Sequence, residues 1–186
     1  MPYREGNEDD LEAARRHAEF KIGIYSEPTY GSGDWPQVVK DTLGDIIPTL
    51  TAEDQKLIKS TGDVYYIDAY RTDVSRAAFN GIQNCASNMS DPNWPVCDET
   101  EVQYAHALAT SWPLGSPADP DVNWLYNTAR LLRRQLKYLT SKYPSKGGIF
   151  VSEFGFNEPK ENEREELFAI KWDTRRQLYY RGRHFF

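Results

Sequence analysis

The chain has 186 residues, with 22 Lys and Arg, 28 Asp and Glu, three His and a formal charge of −6. That length suits one domain and falls short of the roughly 250 residues of a complete eight-fold β/α barrel. Its 39% apolar and 13% aromatic content argues for a packed protein, while the acidic balance disfavours nucleic-acid and anionic-membrane partners and no run approaches the ~18 apolar residues of a membrane span.

The chain reads as one unit, 1–186, in four stretches: a helical segment 1–62, a strand and long loop 63–122, a helix and strand 123–156, and a closing helical segment 157–186. From Glu8 to Tyr25 the apolar residues Leu11, Ala14, Ala18, Ile22 and Tyr25 recur at helical spacing. Glu27-Pro28 and the Gly31–Pro36 run then predict a loop. A short helix is expected over 37–44. A third runs from Thr51, an N-cap with an acid three positions on, to about Ser60. Asp63–Tyr70 is an apolar, aromatic run of strand length. Residues 71–121 are rich in Asn, Pro, Gly and Ser and read as a long functional loop. An amphipathic helix is expected over Asn123–Lys142, a second strand over Ile149–Phe156, and a last helix from near Glu163 towards Arg181, its Arg175, Arg176, Arg181 and Arg183 forming a solvated face. Apolar strands separated by helices imply an α/β fold with parallel pairing, and two strands do not close a barrel.

Cys85 and Cys97 stand twelve residues apart in the loop; they form a disulfide in an oxidising compartment and stay free thiols in a reducing one. Asn88-Met89-Ser90 between them is a glycosylation sequon. These features lean towards a secretory ancestry. The charged first twenty residues hold no signal peptide, for which the cytoplasm is the default expectation. His17, His106 and His184 are too scattered to imply a metal site, and no cofactor is expected.

Glu153, at the end of an apolar strand and followed by Gly155, is the leading chemical candidate. Strand-end carboxylates serve as bases, nucleophiles or metal ligands, but also cap helices or pair with lysines. Asp68 and Tyr70 hold the corresponding place on the earlier strand, where ordinary strand-end residues are the plainer reading.

Five segments in order resemble glycoside hydrolase family 1, the β-glucosidase family. Glu12–Arg16 with Glu19-Phe20, Glu27-Pro28 and Gly33-Asp34-Trp35-Pro36 resembles the family's "AA-RR-EF … DP … GDYP". Ile47–Glu53 with Leu57–Asp63 looks like "LP-FT-EE … LIKGS-DF", and Asp63–Tyr70 lies on the strand that ends Asn-x-Tyr. Asn123-Trp124-Leu125-Tyr126 with Leu131-Leu132-Arg133 matches "WL … GLR", and Ile149–Gly155 lines up with "IYVTENG". The flavour is fungal. The resemblance implies part of a (β/α)8 TIM barrel, about two βα units with flanking helices and a long loop. It also implies a retaining glycosidase mechanism on a small-molecule β-glycoside. By position Glu153 becomes the nucleophile, Tyr70 the phenol that orients it, and Trp124 and Asp68 substrate-binding residues. Trp124 would be an aromatic platform, although a tryptophan at helical spacing also serves as core packing.

Several departures matter. Asp68 replaces the usual Asn, and Phe154 the Asn after the nucleophile. The acid/base "T-x-NEP" motif of the family does not precede these segments. Asn157-Glu158-Pro159 spells the tripeptide after the nucleophile strand and reads as coincidence. The expectation is therefore a truncated β-glucosidase-like chain, inactive alone and self-associating through open strand edges. The alternatives are a non-catalytic or repurposed binding relative, or part of a longer enzyme.

Overall fold

Asn7 starts the first helix: its side chain accepts the Asp10 N–H at 2.9 Å, and Glu8, Asp9 and Asp10 sit at the positive end of the dipole. The computed structural model describes residues 1–59, 61–102, 104–107, 110–164 and 173–184. Helix α1 (Glu8–Ala18) runs through a wide π turn (Glu19–Gly23) into α2 (Ile24–Tyr30). The break expected at Glu27-Pro28 therefore does not occur, and Pro28 lies inside α2. The residue four before it, Ile24, directly follows the π turn, so the missing N–H falls where the ladder is already offset. The short helices α3 (Gln37–Leu43) and α4 (Ala52–Ile58) follow. Thr51 and Asp54 form a reciprocal capping box at α4, as their spacing predicts, while Ser60 lies outside the described residues.

The central feature is a parallel ladder between β2 (Tyr65–Asp68) and the later β7 (Ile149–Glu153). Tyr65 faces the helices, its hydroxyl 2.6 Å from that of Ser26 and its ring 4.9 Å from Tyr30. With Leu139 and Tyr143 it makes a buried cluster, flanked by Ile22, Ile67 and Ile149. The other face carries Tyr66 and Phe150, 63% and 56% exposed, with ring centroids 5.6 Å apart. One face is thus covered and one is not, and among the described residues the ladder has only these two strands.

The stretch expected to be a structureless loop is built instead from short elements. β3 (Val74–Ala77) pairs antiparallel with β4 (Asp98–Glu101), and α5 (Ile82–Ala86) lies between them in sequence. β5 (Tyr104–Ala107) and β6 (Thr110–Pro113) form a hairpin, and β5 also pairs with β1 (Arg4–Glu5). Strands of four residues in polar surroundings leave little periodicity to read. α1 packs on β3, and Asp10 joins the two by accepting from Arg4 Nε (2.7 Å) and the Ala77 N–H (3.2 Å) while fully buried. Cys85 and Cys97 are joined as a disulfide within a buried cluster of Ala13, Ala78 and Ile82.

The helix expected from Asn123 begins later: a 3-10 turn (Ala129–Leu131) leads into α6 (Leu132–Lys142). The backbone before it pairs sideways instead, Ala118 N–H to Leu125 O (3.0 Å) and Asn127 N–H to Ser116 O (2.8 Å). Gly115 makes the approach possible, since a Cβ there would stand 2.0 Å from the Asn127 carbonyl oxygen. The last described helix, α7 (Thr174–His184), overlaps the expected one; a 3-10 turn stands at Glu161–Glu163, and residues 165–172, over which the helix was also expected, lie outside the described ones. No described helix is long and apolar enough to cross a membrane.

α1 is fastened to the 71–101 segment by His17. Its Nδ1 lies 2.8 Å from Asp98 and its Nε2 3.5 Å from Asp73, and Asp73 also accepts from Arg71 Nε at 2.8 Å. Burial disfavours the imidazolium, but the two carboxylates outweigh it and raise the His17 pKa above 6.5. Burial also opposes ionisation of Asp73 and Asp98, and there the hydrogen bonds from His17 win, lowering both below 3.8. The imidazolium's contribution is complete below pH 6.5 and is lost as pH rises through its raised value. The carboxylates' contribution is complete above pH 3.8 and is lost as pH falls through their lowered values. Thermal melting should therefore show the midpoint falling from pH 6 to pH 9, and His17→Gln should flatten that slope. Leu139→Ala, which empties a fully buried position, should cost about 2–5 kcal/mol in urea unfolding.

Candidate active site at the ends of the parallel strands

The ladder between β2 and β7 is not regular. Tyr65, Tyr66 and Ile67 stand opposite Ile149, Phe150 and Val151, but Asp68 stands opposite Glu153. Ser152 is the extra residue of a β-bulge, and the slip brings Glu153 level with Asp68. The last ladder bond is Ala69 N–H to Glu153 O at 2.9 Å.

Beyond it Tyr70 leaves the ladder and its hydroxyl donates to Glu153 Oε1. The bond to Glu153, with a smaller effect of burial, pushes the Tyr70 phenol up to about 12. The Ser152 hydroxyl donates to Asp68 Oδ1 at 2.8 Å. The Tyr70 ring meets Trp124 edge to face at 6.3 Å, and the Arg71 guanidinium lies 5.7 Å over the Trp124 ring. Trp124 is 43% exposed, an accessible ring and not a core residue.

Asp68, Tyr70, Trp124 and Glu153 are thus gathered at one end of the ladder, although Trp124 precedes the helix on which it was expected. Phe154 turns away, its ring 5.5 Å from Tyr180. Glu158, of the Asn157-Glu158-Pro159 tripeptide, is buried and occupied elsewhere. Its Oε1 accepts the Arg175 and Arg176 N–H groups at 2.7 and 3.0 Å, at the start of α7. Burial opposes its ionisation, but the donated N–H groups hold its pKa below the usual value. Asn88 lies exposed on a turn in the 71–101 segment, where Ser90 N–H donates to its Oδ1 at 3.1 Å.

The residues missed in sequence are Ser152 and Arg71, each of which adjoins a candidate. Arg176 departs from the expected solvated face: its Nε donates to the Phe156 carbonyl at 2.6 Å and its Nη1 pairs with Asp173 at 3.0 Å. The Arg183 side chain lies outside the described residues. Among the described residues no three His, Cys, Asp or Glu side chains gather to hold a metal ion.

Residues 1–185 match the family model for glycosyl hydrolase family 1. Beta-glucosidase 1B of Phanerodontia chrysosporium is 30% identical over 182 residues, which are 98% of this chain and 30% of that protein. Two solved structures share the fold. A GH1 beta-glucosidase from the fungus Humicola insolens, in complex with glucose, has TM-score 0.80 and 24% identity, covering 98% of this chain and 35% of that one. Beta-glucosidase 2 of the fungus Trichoderma reesei, in complex with Tris, has TM-score 0.79 and 23% identity, over 98% and 36%. The chain spans about a third of the length of the relatives it matches, and its architecture is a partial (β/α)8 barrel with two adjacent parallel strands described.

The hydrogen bond to Glu153 has a direct spectroscopic consequence. At pH 10.5, where a free tyrosine is more than half ionised, the Tyr70 phenol should remain protonated by carbon NMR of its Cζ. Glu153→Gln removes the charge and should return its midpoint towards 10.

Proposed function

The chain belongs to glycosyl hydrolase family 1, and from that premise we propose that Glu153 is the nucleophile of a retaining β-glycosidase site and Tyr70 the group that orients it. The hydrogen bond from Tyr70 to Glu153, at the paired ends of β2 and β7, carries this reading. One carboxylate oxygen is held and the other is left to attack. Glu153 forms an ester bond to the anomeric carbon as the bond to the aglycone oxygen breaks, and the aglycone leaves with the bonding electrons. Water then cleaves the ester, releasing the sugar with overall retention. A phenol with a raised pKa stays protonated beside the free carboxylate, keeping Glu153 aligned and charged for its attack.

Trp124 offers an apolar ring face to the sugar or aglycone, stiffened by Arg71 above it, a contact worth about 0.5–1 kcal/mol at an exposed site. Asp68, positioned by Ser152, offers its remaining oxygen to a sugar hydroxyl. Protonation of the leaving group contributes about 10²–10⁴-fold in rate. Glu158 does not fill that role, because its carboxylate caps α7. The nucleophile half alone therefore suits aglycones that depart without a proton.

In keeping with the expected inactivity of the chain alone on ordinary glycosides, purified chain should show no turnover of 4-nitrophenyl β-glucoside. By contrast 2,4-dinitrophenyl β-glucoside, whose aglycone departs without a proton, should be cleaved measurably, and Glu153→Gln should abolish that cleavage. Equal turnover in the Glu153→Gln variant would sink the assignment.

A further inference from the structure

Tyr179 is the aromatic residue of α7 that points inwards. It is fully buried and stacks on Phe156 at 4.9 Å, in a cluster with Ala118, Leu125 and Ala129 against which Tyr70 packs. A phenylalanine would satisfy that packing equally well. The hydroxyl does something more: it lies 3.3 Å from the Tyr70 carbonyl oxygen and 3.5 Å from that of Ala69, long distances that fit one proton shared between two acceptors.

α7 is also tied to the chain that continues β7. Glu158 caps its first turn, and the Arg176 guanidinium holds the Phe156 carbonyl at 2.6 Å. The helix therefore braces two strand ends together, that of β2 through Tyr179 and that of β7 through Glu158 and Arg176. Those ends carry Tyr70 and Glu153. The last rung of the ladder lies at Ala69, so the Tyr70 peptide stands just past the point where strand pairing holds it.

We propose that Tyr179 is a positioning residue for the Glu153–Tyr70 pair, its hydroxyl fixing the backbone carbonyls at the end of β2 from which the Tyr70 side chain reaches the nucleophile. The proposal rests on the reading of Glu153 as nucleophile. It acts through Tyr70, without contact to substrate. Removing the hydroxyl frees the Tyr70 peptide to rotate, and a small rotation at the Cα is amplified at the phenol oxygen, loosening its bond to Glu153.

The test uses the full chain labelled with carbon-13 at tyrosine Cζ, with the Tyr70 resonance assigned by its loss in Tyr70→Phe. At pH 10.5 the ionised fraction of Tyr70 should rise several-fold in Tyr179→Phe, on the order of one pH unit in midpoint. Tyr180→Phe, on the neighbouring ring, should leave it unchanged, and 4-aminophenylalanine at position 179, which keeps a donor, should restore the unmodified value. A folded Tyr179→Phe chain with unchanged Tyr70 ionisation would overturn the proposal. Should that variant not fold, the unmodified chain still decides: the Tyr179 hydroxyl proton should exchange slowly and show contacts to Ala69 and Tyr70. Exchange as fast as in free tyrosine would refute it. None of these measurements uses a glycoside, so a failure of the nucleophile assignment in the turnover assay remains separable from a failure here.

Discussion

The parallel pairing of Tyr65–Asp68 with Ile149–Glu153 is the constraint from which the remaining structure follows. It joins segments some eighty residues apart, and no local preference holds such segments together. The backbone bonds are individually modest, with net contributions of about 0.5–1.5 kcal/mol each. What makes the pairing persist is the apolar cover on one face, where Tyr65 is buried with Leu139 and Tyr143 from the end of α6, which lies between the two strands in sequence, against Ile22 and Tyr30 of the helices before β2. Once the strands are paired, their ends are neighbours, and the chemistry of Asp68, Tyr70 and Glu153 becomes a property of one small region.

Around that ladder the chain uses polar fasteners where its apolar contacts are thin. Asp10 joins α1 to β1 and β3, His17 ties the same helix to Asp73 and Asp98, and Glu158 anchors α7 to the segment after β7. Each is a carboxylate or imidazole withdrawn from water and saturated with partners, the condition under which a buried polar group stabilises. The 71–101 segment depends most on such ties, because its own core is small and centred on Cys85 and Cys97.

How much of this could be read in the sequence depended on whether the determinant was local. The Thr51–Asp54 box lies within four residues and was legible, as were the two apolar strands. The strands of the 71–113 region were not, because each gains its identity from a partner elsewhere and four residues carry almost no periodicity. The apolar spacing after Asn123 spelled a helix, yet the backbone there pairs across the chain instead, Asn127 N–H donating to the Ser116 carbonyl and the Leu125 carbonyl accepting the Ala118 N–H. Glu153 could be singled out from its strand-end position, but its pairing with Tyr70 across 83 residues came only from the family resemblance. Tyr179 gave no signal, since its role depends on a hydroxyl meeting carbonyls more than a hundred residues away.

The bulge at Ser152 makes the site a matter of counting. Which side chain stands level with Asp68 is decided by the number of residues between Val151 and the end of β7, not by their identity. A replacement at Ser152 keeps the count and disturbs one hydroxyl. A single insertion there would put another residue opposite Asp68 and carry Glu153 out of register with Tyr70, whereas loss of Ser152 would close the bulge and leave Glu153 next to Val151, still opposite Asp68. Drift in this segment is therefore tolerated in composition more readily than in added length, and an insertion between residues 149 and 153 would be a sharper sign of lost chemistry than a substitution beside the carboxylate.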